Sequence, residues 1–237
     1  MRLDKLLANM GYGSRKDVKE LIKKKRVTVN DYLIKDSGMK IDTTSDLVKV
    51  DEQVVKYKPF IYLMMNKPPG VISATEDLYD KTVIDLLPPS VQHYRPFPVG
   101  RLDKDTEGLL LLTNDGKLAH QLLSPKKDVG KTYYAKISGT VTDEDIEAFL
   151  EGVILEDGYQ TKPAKLSIIS SGELSEIEVV ITEGKFHQVK RMFEAVGKKV
   201  VYLKRLSMGE LKLDNTLKLG DFRELNDKEL SYCQSMK

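Results

Sequence analysis

Four consecutive leucines, Leu109 to Leu112, lie between Gly108 and the turn-forming residues 113–116. A short apolar run with these boundaries favours a buried strand over a helix. The preceding loop, residues 99–107, contains three carboxylates within five residues, and Asp103 has a basic residue close to it on each side. Burial of the strand would hold this loop at the edge of a sheet, where its side chains can converge on a ligand.

The residues around Asp103 are compatible with more than one role. Nearby cations favour the ionised carboxylate, which can act as a nucleophile or a base. A solvated charged turn before a core strand explains the same residues, and spacing alone does not decide between the two. Asp103 and Asp105 could also be the carboxylates of a glycoside hydrolase, but no apolar pocket that would keep one of them protonated can be identified.

Composition excludes several classes of protein. The chain has 237 residues, of which 41% are hydrophobic, so it is long enough for two domains with real cores. The single cysteine, Cys233, excludes an intrachain disulfide and a multi-cysteine zinc site, and it indicates a reducing compartment. No long apolar run indicates a signal peptide or a membrane span, so we expect a cytoplasmic protein.

Charge is distributed unevenly along the chain. Residues 1–30 contain nine Lys and Arg against three Asp and Glu, a net charge of +6, whereas the remainder contains 29 basic and 33 acidic residues. A small basic module on a mildly acidic body is typical of proteins that bind a polyanion. Solvated charge on a helix surface is the alternative. Residues 185–205 contain seven basic residues and one acid, which predicts a second positive surface.

The amino-terminal residues predict a small domain. Leu3, Leu6 and Leu7 have helical spacing, and Ser14 with Asp17 predicts a capping box at the start of a second helix. Strands are expected at residues 27–29 and 32–34 around a turn, then at 48–50 and 53–55. The Gly11 and Gly13 pair follows a helix and lacks a third glycine, so it is not a dinucleotide-binding loop. A domain boundary is expected near residue 59.

The larger part of the chain mixes strands and helices. Strands are expected over residues 61–65, 109–112, 131–137 and 176–181, and helices over residues 82–87, 117–123, 142–152 and 187–196. In the last helix, Val189, Met192, Phe193 and Val196 form one apolar stripe. Because side chains alternate along a strand, only one of Tyr133 and Tyr134 can face a given site.

Several motifs together resemble one protein family. Gly100-Arg101-Leu102-Asp103 followed by residues 106–116 resembles the signature of the RsuA/RluB group of RNA pseudouridine synthases, whose catalytic aspartate falls on Asp103. Residues 67–70, 131–133 and 183–193 resemble the other motifs of this family in the same order, and the amino-terminal segment resembles its S-four-like RNA-binding domain. The resemblance therefore covers nearly the whole chain.

The resemblance implies a fold and a site. It implies an α+β protein with an S-four-like RNA-binding domain over residues 1–59. It also implies a catalytic domain over residues 60–237, built on a mixed, mainly antiparallel sheet flanked by helices. Asp103 would be the catalytic carboxylate, Tyr133 an aromatic wall and Lys190 the cation that keeps Asp103 charged. Whether Asp103 attacks the sugar, attacks the base or acts first as a base stays open.

Contacts to RNA are expected from basic residues in both domains. In this family the target base turns out of the RNA to reach the active site. Arg101, near the catalytic loop, would hold the phosphate of that nucleotide or occupy the space that the nucleotide vacates. Lys67 lies in a motif of the active-site neighbourhood. The other predicted RNA-binding residues are Arg2, Arg15, Lys16, Lys19, Lys23, Lys24, Arg26 and Arg191. Phosphate contacts of this kind supply affinity but little sequence information.

The reaction implied by the family needs no cofactor, because uridine and pseudouridine are isomers. The sequence contains no phosphate-binding loop with the required spacing, and its three histidines are scattered, so neither a nucleotide cofactor nor a metal is expected. The expected partner of this monomer is ribosomal RNA or a small-subunit assembly intermediate. Residues 124–133, 151–153 and 161–164 resemble RsuA, which favours 16S rRNA as substrate. The alternatives are 23S rRNA and a non-catalytic RNA-binding assembly factor.

Overall fold

The computed structural model describes residues 1–124 and 127–235, which divide into two compact units. The first unit contains residues 1–61 and 87–96, and the second contains residues 62–86 and the described residues from 97 onward. An α+β protein with a small first domain and a larger mixed-sheet domain was predicted, and this architecture is confirmed. The sequence interpretation placed residues 87–96 in the larger domain, whereas their contacts place them in the smaller unit.

The first unit is built from three helices and a four-stranded sheet. Its elements are α1 (Leu3–Asn9), α2 (Arg15–Lys23), β1 (Val27–Val29), β2 (Tyr32–Leu33), β3 (Val48–Val50), β4 (Gln53–Val54) and α3 (Pro89–Gln92). The sheet has the order β2-β1-β3-β4 and is antiparallel throughout.

Local signals in the sequence explain the start of α2 and the first hairpin. Ser14 and Asp17 form the predicted capping box, which satisfies backbone N–H groups that have no partner within a helix. Asn30 and Asp31 both have positive φ, as the tight turn between β1 and β2 requires. The apolar sides of α1 and α2 pack with β1 and β3 into a core that contains Leu6 and Val18.

In its described residues, the second unit contains one large sheet and four α-helices. Its strands are β5 (Tyr62–Lys67), β6 (Phe97–Val99), β7 (Glu107–Thr113), β8 (Lys131–Ser138), β9 (Lys165–Ser170), β10 (Leu174–Ile181), β11 (Lys199–Met208), β12 (Leu211–Lys212) and β13 (Phe222–Glu224). Its helices are α4 (Gly116–Leu123), α5 (Asp143–Glu151), α6 (Gln188–Ala195) and α7 (Asp227–Ser235). The helix expected over residues 82–87 is only a 3₁₀ turn at Ile84–Leu86.

The strand order of this sheet is β13-β5-β7-β11-β8-β10-β9, with β12 paired to β11 and β6 paired to β7. Among the strand pairs of the described residues, only β7 and β11 run parallel. The leucine run lies in β7, near the middle of the sheet, and all four leucines are buried as predicted. The charged loop that precedes β7 is therefore attached to the core of the unit.

The start of β7 is packed against β11 without space for a side chain. Gly108 has φ +104°, and a Cβ atom at this position would lie 2.2 Å from the carbonyl oxygen of Arg205. Only glycine allows this approach without strain. The register pairs Gly108 with Arg205 in β11 and with Lys67 at the end of β5, so three strands meet where the charged loop ends.

Helix α6 brings the 183–193 motif to the same part of the sheet. Its buried residues include Val189, Met192 and Phe193, which belong to the predicted stripe, and the ring of Phe193 lies 4.9 Å from that of Phe149 in α5. The residue before the helix, His187, has a left-handed backbone with φ +48°. Packing of the apolar stripe leaves Lys190 on the side of α6 that faces the charged loop.

Candidate active site

The loop between β6 and β7 holds Asp103 at the edge of the sheet. Ser73 fixes the residue before it, because its Oγ accepts a hydrogen bond from the N–H of Leu102 and donates one to the carbonyl oxygen of the same residue, both at 3.0 Å. The N–H of Gly70 donates to the carbonyl oxygen of Lys104 at 2.7 Å. The side chain of Asp103 remains 26% exposed, so its carboxylate is accessible while its backbone is held.

Lys67 lies beneath this loop and is fully buried. Its Nζ donates to the carbonyl oxygens of Pro68, Asp103 and Thr106 at 2.9–3.0 Å, and it lies 3.4 Å from that of Lys104. The prediction that Lys67 binds RNA directly is therefore corrected, because an ammonium group enclosed by backbone carbonyls cannot reach a substrate. Its contacts instead fix the path of the loop that carries Asp103.

Burial also changes the proton affinity of Lys67. Desolvation lowers its pKa to about 8, although the carboxylates of Asp105, Asp103 and Glu107 act in the opposite direction. The charged form is the one that donates most hydrogen bonds to the surrounding carbonyl oxygens, and below pH 8 it predominates.

Lys190 reaches the loop from α6 and lies between two carboxylates. Its Nζ is 3.4 Å from Oδ2 of Asp103, and it lies 2.6 and 2.8 Å from the two carboxylate oxygens of Asp105. Burial raises the pKa of Asp105, but the hydrogen bonds and charge of Lys190 outweigh this, so the pKa is below its ordinary value. The expected partner of Asp103 is thus present, and it is shared with Asp105.

Tyr133 points from β8 into the pocket beside Asp103. It is buried, and with Arg101, Leu102, Asp103 and Thr106 it lines a narrow cavity of about 70 Å³. Its neighbour Tyr134 lies on the other face of the sheet, where its hydroxyl donates to Glu176 at 2.6 Å. Strand alternation therefore selects Tyr133 for the pocket.

A wider cavity of about 450 Å³ adjoins the narrow one. The two cavities share six residues, and the wider one is also lined by Lys104 and Phe186, among others. The shared residues are Arg101, Leu102, Asp103, Gly184, Lys185 and His187. Arg101 is exposed at both cavities, where a substrate phosphate could contact it. Nε2 of His187 lies 3.7 Å from Oδ1 of Asp103.

Several cations of the predicted second positive surface over residues 185–205 are paired with acids or buried. Arg191 is paired with Glu156 and Asp157 at 2.6 Å each, and its side chain is only 13% exposed. Lys198 is paired with Asp145 at 2.8 Å, and Arg205 is buried. The prediction that Arg191 contacts RNA is corrected for this reason: its guanidinium joins α6 to the turn after β-bridge residue Ile154.

The basic residues of the first unit are at its surface. On α2 and directly after it, the exposed predicted residues are Arg15, Lys16, Lys19, Lys23, Lys24 and Arg26. Some of these cations form ion pairs with acidic residues. Lys23 lies 2.7 Å from Glu20, and Arg26 pairs with Asp51. Arg2, which directly precedes α1, lies 2.7 Å from Asp4. The helix surface nevertheless remains predominantly cationic.

Sequence reasoning missed Arg205. Its Nε donates to the carbonyl oxygen of Leu109 at 2.8 Å, and its Nη2 has no hydrogen-bond partner among the described residues. Its register partner in β8 is Tyr133, so it lies beside the pocket wall. In the sequence, only the alternation of residues in β11 could have indicated that Arg205 is buried. The basic residues of that strand instead indicated a surface segment.

Residues 1–124 and 127–235 contain neither a candidate metal cluster nor a membrane-spanning helix. No group of three or more His, Cys, Asp or Glu side chains in these ranges could hold a metal ion. None of the helices there is long and apolar enough to cross a membrane.

The pKa of Lys67 gives a testable stability effect. Because it is about 8 in the native chain and 10.5 ordinarily, the native state binds fewer protons than the unfolded state between these pH values. The contribution of Lys67 to the free energy of unfolding should therefore rise with pH across this window, by at most about 1.4 kcal/mol per pH unit. The measurement is urea unfolding of wild type and Lys67→Met from pH 7.5 to 9.5. The free energy of unfolding of wild type should rise relative to that of the variant as the pH increases.

The matched control for this experiment is Lys117→Met, because Lys117 is exposed on α4. The difference in the free energy of unfolding between this variant and wild type should stay constant with pH. A constant difference for Lys67→Met as well would show that the buried ammonium is not destabilised in the native state.

Two parts of the chain match known protein families. Residues 61–195 match the RNA pseudouridylate synthase family, and residues 1–48 match the S4 domain. A crystal structure of a pseudouridylate synthase superposes with a TM-score of 0.69 at 32% identity, and the match covers 100% of both chains.

Three relatives match nearly the full length. The uncharacterized RNA pseudouridine synthase YtzG of Bacillus subtilis is 55% identical over 97% of both chains. The ribosomal large subunit pseudouridine synthase B of Bacillus subtilis is 40% identical over 99% of this chain and 96% of the relative. The ribosomal small subunit pseudouridine synthase A of Vibrio cholerae is 38% identical over 98% of both chains. The chain therefore belongs to the RsuA/RluB family of RNA pseudouridine synthases and has an S4 domain before its catalytic domain.

Proposed function

We propose that this enzyme isomerises a specific uridine of 16S rRNA to pseudouridine and that Asp103 is its nucleophile. The observation that carries the proposal is the position of the Asp103 carboxylate. It lies in the narrow pocket with Tyr133, on a loop whose backbone is fixed from below by Lys67. A nucleophile must be held accurately relative to its target to accelerate a reaction, and this loop provides such positioning.

The pocket side chains have distinct roles in the proposal. A base in a structured RNA must leave its stack to be reached, and it then needs a surface against which to pack. Tyr133 is that surface, since aromatic rings stack on any base. Lys190 places a positive charge 3.4 Å from the Asp103 carboxylate and balances its negative charge. Arg101 contacts the phosphate of the extruded nucleotide.

Lys67 and Asp105 act through their neighbours. Lys67 is a positioning residue, since its ammonium group donates to backbone carbonyl oxygens. Asp105 is 72% exposed and holds Lys190 at 2.6 Å, so it orients the ammonium that faces Asp103. This division of roles leaves Asp103 as the carboxylate that meets the substrate.

The first unit supplies affinity for RNA in this proposal. The cations of α2 are exposed, and residues 1–48, which contain this helix, match the S4 domain. Arg191 and Lys198 of the 185–205 segment are neutralised by protein acids, whereas the cations of α2 are exposed, which makes α2 the main cationic surface in this proposal. The partner is ribosomal RNA or a small-subunit assembly intermediate, bound by a monomer of this enzyme in the cytoplasm.

Two observations bear on the choice of ribosomal subunit. The segments 124–133, 151–153 and 161–164 resemble RsuA, which favours 16S rRNA, although residues 125 and 126 lie outside the described residues. The relative named ribosomal large subunit pseudouridine synthase B is 40% identical, which makes 23S rRNA the second candidate.

The first prediction concerns the nucleophile. Asp103→Asn keeps the shape of the side chain and removes its charge, so turnover should fall below detection while the Kd for RNA changes by less than about twofold. The matched control is Asp105→Asn, which removes the other carboxylate that contacts Lys190 and should lower turnover far less than Asp103→Asn, because Asp105 acts only through Lys190. Multiple-turnover assays of both variants on the same rRNA transcripts measure this difference. Turnover by Asp103→Asn together with its loss in Asp105→Asn would assign the chemistry to Asp105.

The second prediction concerns the cationic helix. Replacing Lys16, Lys19, Lys23 and Lys24 by Gln should weaken RNA binding and flatten its dependence on salt. Each lost phosphate contact removes roughly 0.7 to 0.9 from the slope of log K against log salt. The limiting single-turnover rate should not change. The control replaces four exposed lysines of the second unit by Gln: Lys117, Lys165, Lys199 and Lys212. An equal slope change in the control would contradict a specific role for α2.

The third prediction concerns the substrate. Pseudouridine mapping of rRNA from a strain that lacks this gene should show the loss of one site in 16S rRNA, and the purified enzyme should restore it. Loss of a site in 23S rRNA would move the target to the large subunit. If no site is lost and the purified protein forms no pseudouridine, the protein acts as an RNA-binding assembly factor.

A further inference from the structure

We propose that Phe186 and His187 form a stacking platform for the nucleobase next to the target uridine, which makes the wider cavity a second nucleotide site. The proposal rests on the proposed function, since it requires that an RNA base enters the narrow pocket. It assigns a ligand, an unpaired nucleobase with its phosphate, to side chains that have no role in the chemistry described above.

The first observation is the geometry of the two rings. The centroids of Phe186 and His187 are 3.8 Å apart and their planes differ by 17°, so the rings are stacked. Phe186 is nevertheless 71% exposed. Since His187 covers one of its faces, the accessible area is mainly the opposite face and the ring edge. A flat apolar face that is open to solvent and supported from behind is the surface that a base needs for stacking.

The second observation is that the pair is held in place. His187 directly precedes α6 and has φ +48°, a conformation that is uncommon for residues other than glycine. Positions of this kind persist where the surrounding structure enforces them, and they cluster at ligand sites. The neighbouring backbone is fixed by Gln188, whose Oε1 accepts from the N–H of Lys185 at 2.9 Å and whose Nε2 donates to Glu183 at 2.7 Å. The platform is therefore preorganised.

The third observation is the cavity beside the rings. Its volume of about 450 Å³ lies in the range of small-ligand sites, whereas the pocket at Tyr133 has only about 70 Å³. Three basic residues, Arg101, Lys104 and Lys185, and one carboxylate, Asp103, line it. Because the two cavities share Arg101 and Asp103, adjacent nucleotides of one strand can occupy them, with a phosphate near Arg101. This charge complementarity favours a nucleotide over an apolar peptide.

The physical reason for such a platform is the energy of base extrusion. Turning a uridine out of its stack also deprives the neighbouring base of a stacking partner. Phe186 replaces that partner, and it does so without reading sequence, because every base has an aromatic face. Phe186 is thus a positioning residue for the substrate, and its loss should weaken binding more than it slows the bound complex.

The test compares three variants by single-turnover kinetics on 16S and 23S rRNA transcribed in vitro. Phe186→Leu keeps an apolar side chain and removes the aromatic face, so the half-saturating enzyme concentration should rise roughly 5- to 150-fold, as expected for one lost base–aromatic stack. Phe186→Tyr and Phe186→Trp should stay close to wild type. Ile169→Ala, at an exposed apolar position on β9, is the control and should not change.

A spectroscopic readout separates stacking from a structural role. After the modified uridine has been mapped, 2-aminopurine is placed beside it in a short RNA, and its fluorescence is measured with the catalytically impaired Asp103→Asn protein. Stacking on Phe186 should quench the fluorescence, and an added Phe186→Leu change should restore most of it. Thermal unfolding of each variant should match its parent, since Phe186 is exposed.

The outcomes distinguish this inference from the proposed function. If the wild-type enzyme forms pseudouridine and Phe186→Leu has the same half-saturating concentration and quenching, the platform is overturned and the proposed function stands. Equal loss of binding in the Leu, Tyr and Trp variants also overturns stacking. If the wild-type enzyme forms no pseudouridine on either rRNA, both fail together.

Discussion

The hydrogen bonds between the Lys67 ammonium and the backbone carbonyl oxygens around it are the interaction on which the site depends. A buried charge is costly unless its donors are satisfied, and here the acceptors belong to Pro68 and to the loop of residues 103–106. The ammonium therefore joins the end of β5 to the loop before β7. Since its donors are used in this way, the cation that faces the Asp103 carboxylate has to come from another element, and α6 provides it through Lys190.

Three distant segments of the chain meet at the pocket, and each is held by apolar burial or by strand pairing. The burial of the leucine strand fixes β7, the pairing of β8 with β11 fixes Tyr133, and apolar packing of Met192 and Phe193 fixes α6. The polar contacts at the pocket are then made between elements that are already rigid. A site supported by strands and a helix holds its side chains more accurately than one formed by loops alone, which is what a reaction at a single atom requires.

The distribution of charge separates affinity from chemistry. Several basic residues of the 185–205 segment are paired, as Arg191 with Asp157 and Lys198 with Asp145 illustrate, or are buried, like Arg205. The cations of α2 are exposed. Electrostatic attraction to phosphates acts without regard to sequence, so a surface that is separate from the pocket can raise affinity for RNA without altering the environment of Asp103.

The sequence by itself determined the elements whose signals are local: β7 from its leucines, α2 from the Ser14 cap, α6 from its apolar stripe, and the family from its motifs. It also located Asp103, Tyr133 and Lys190, but it did not reveal β11, the burial of Lys67 or the pairing of Arg191. These features depend on partners far along the chain, such as Thr106 for Lys67, 39 residues away, and Glu156 for Arg191, 35 residues away. A lysine or arginine looks the same in a sequence whether its charge meets water, a carboxylate or a ring of carbonyl oxygens, and only the tertiary structure decides which of these surrounds it.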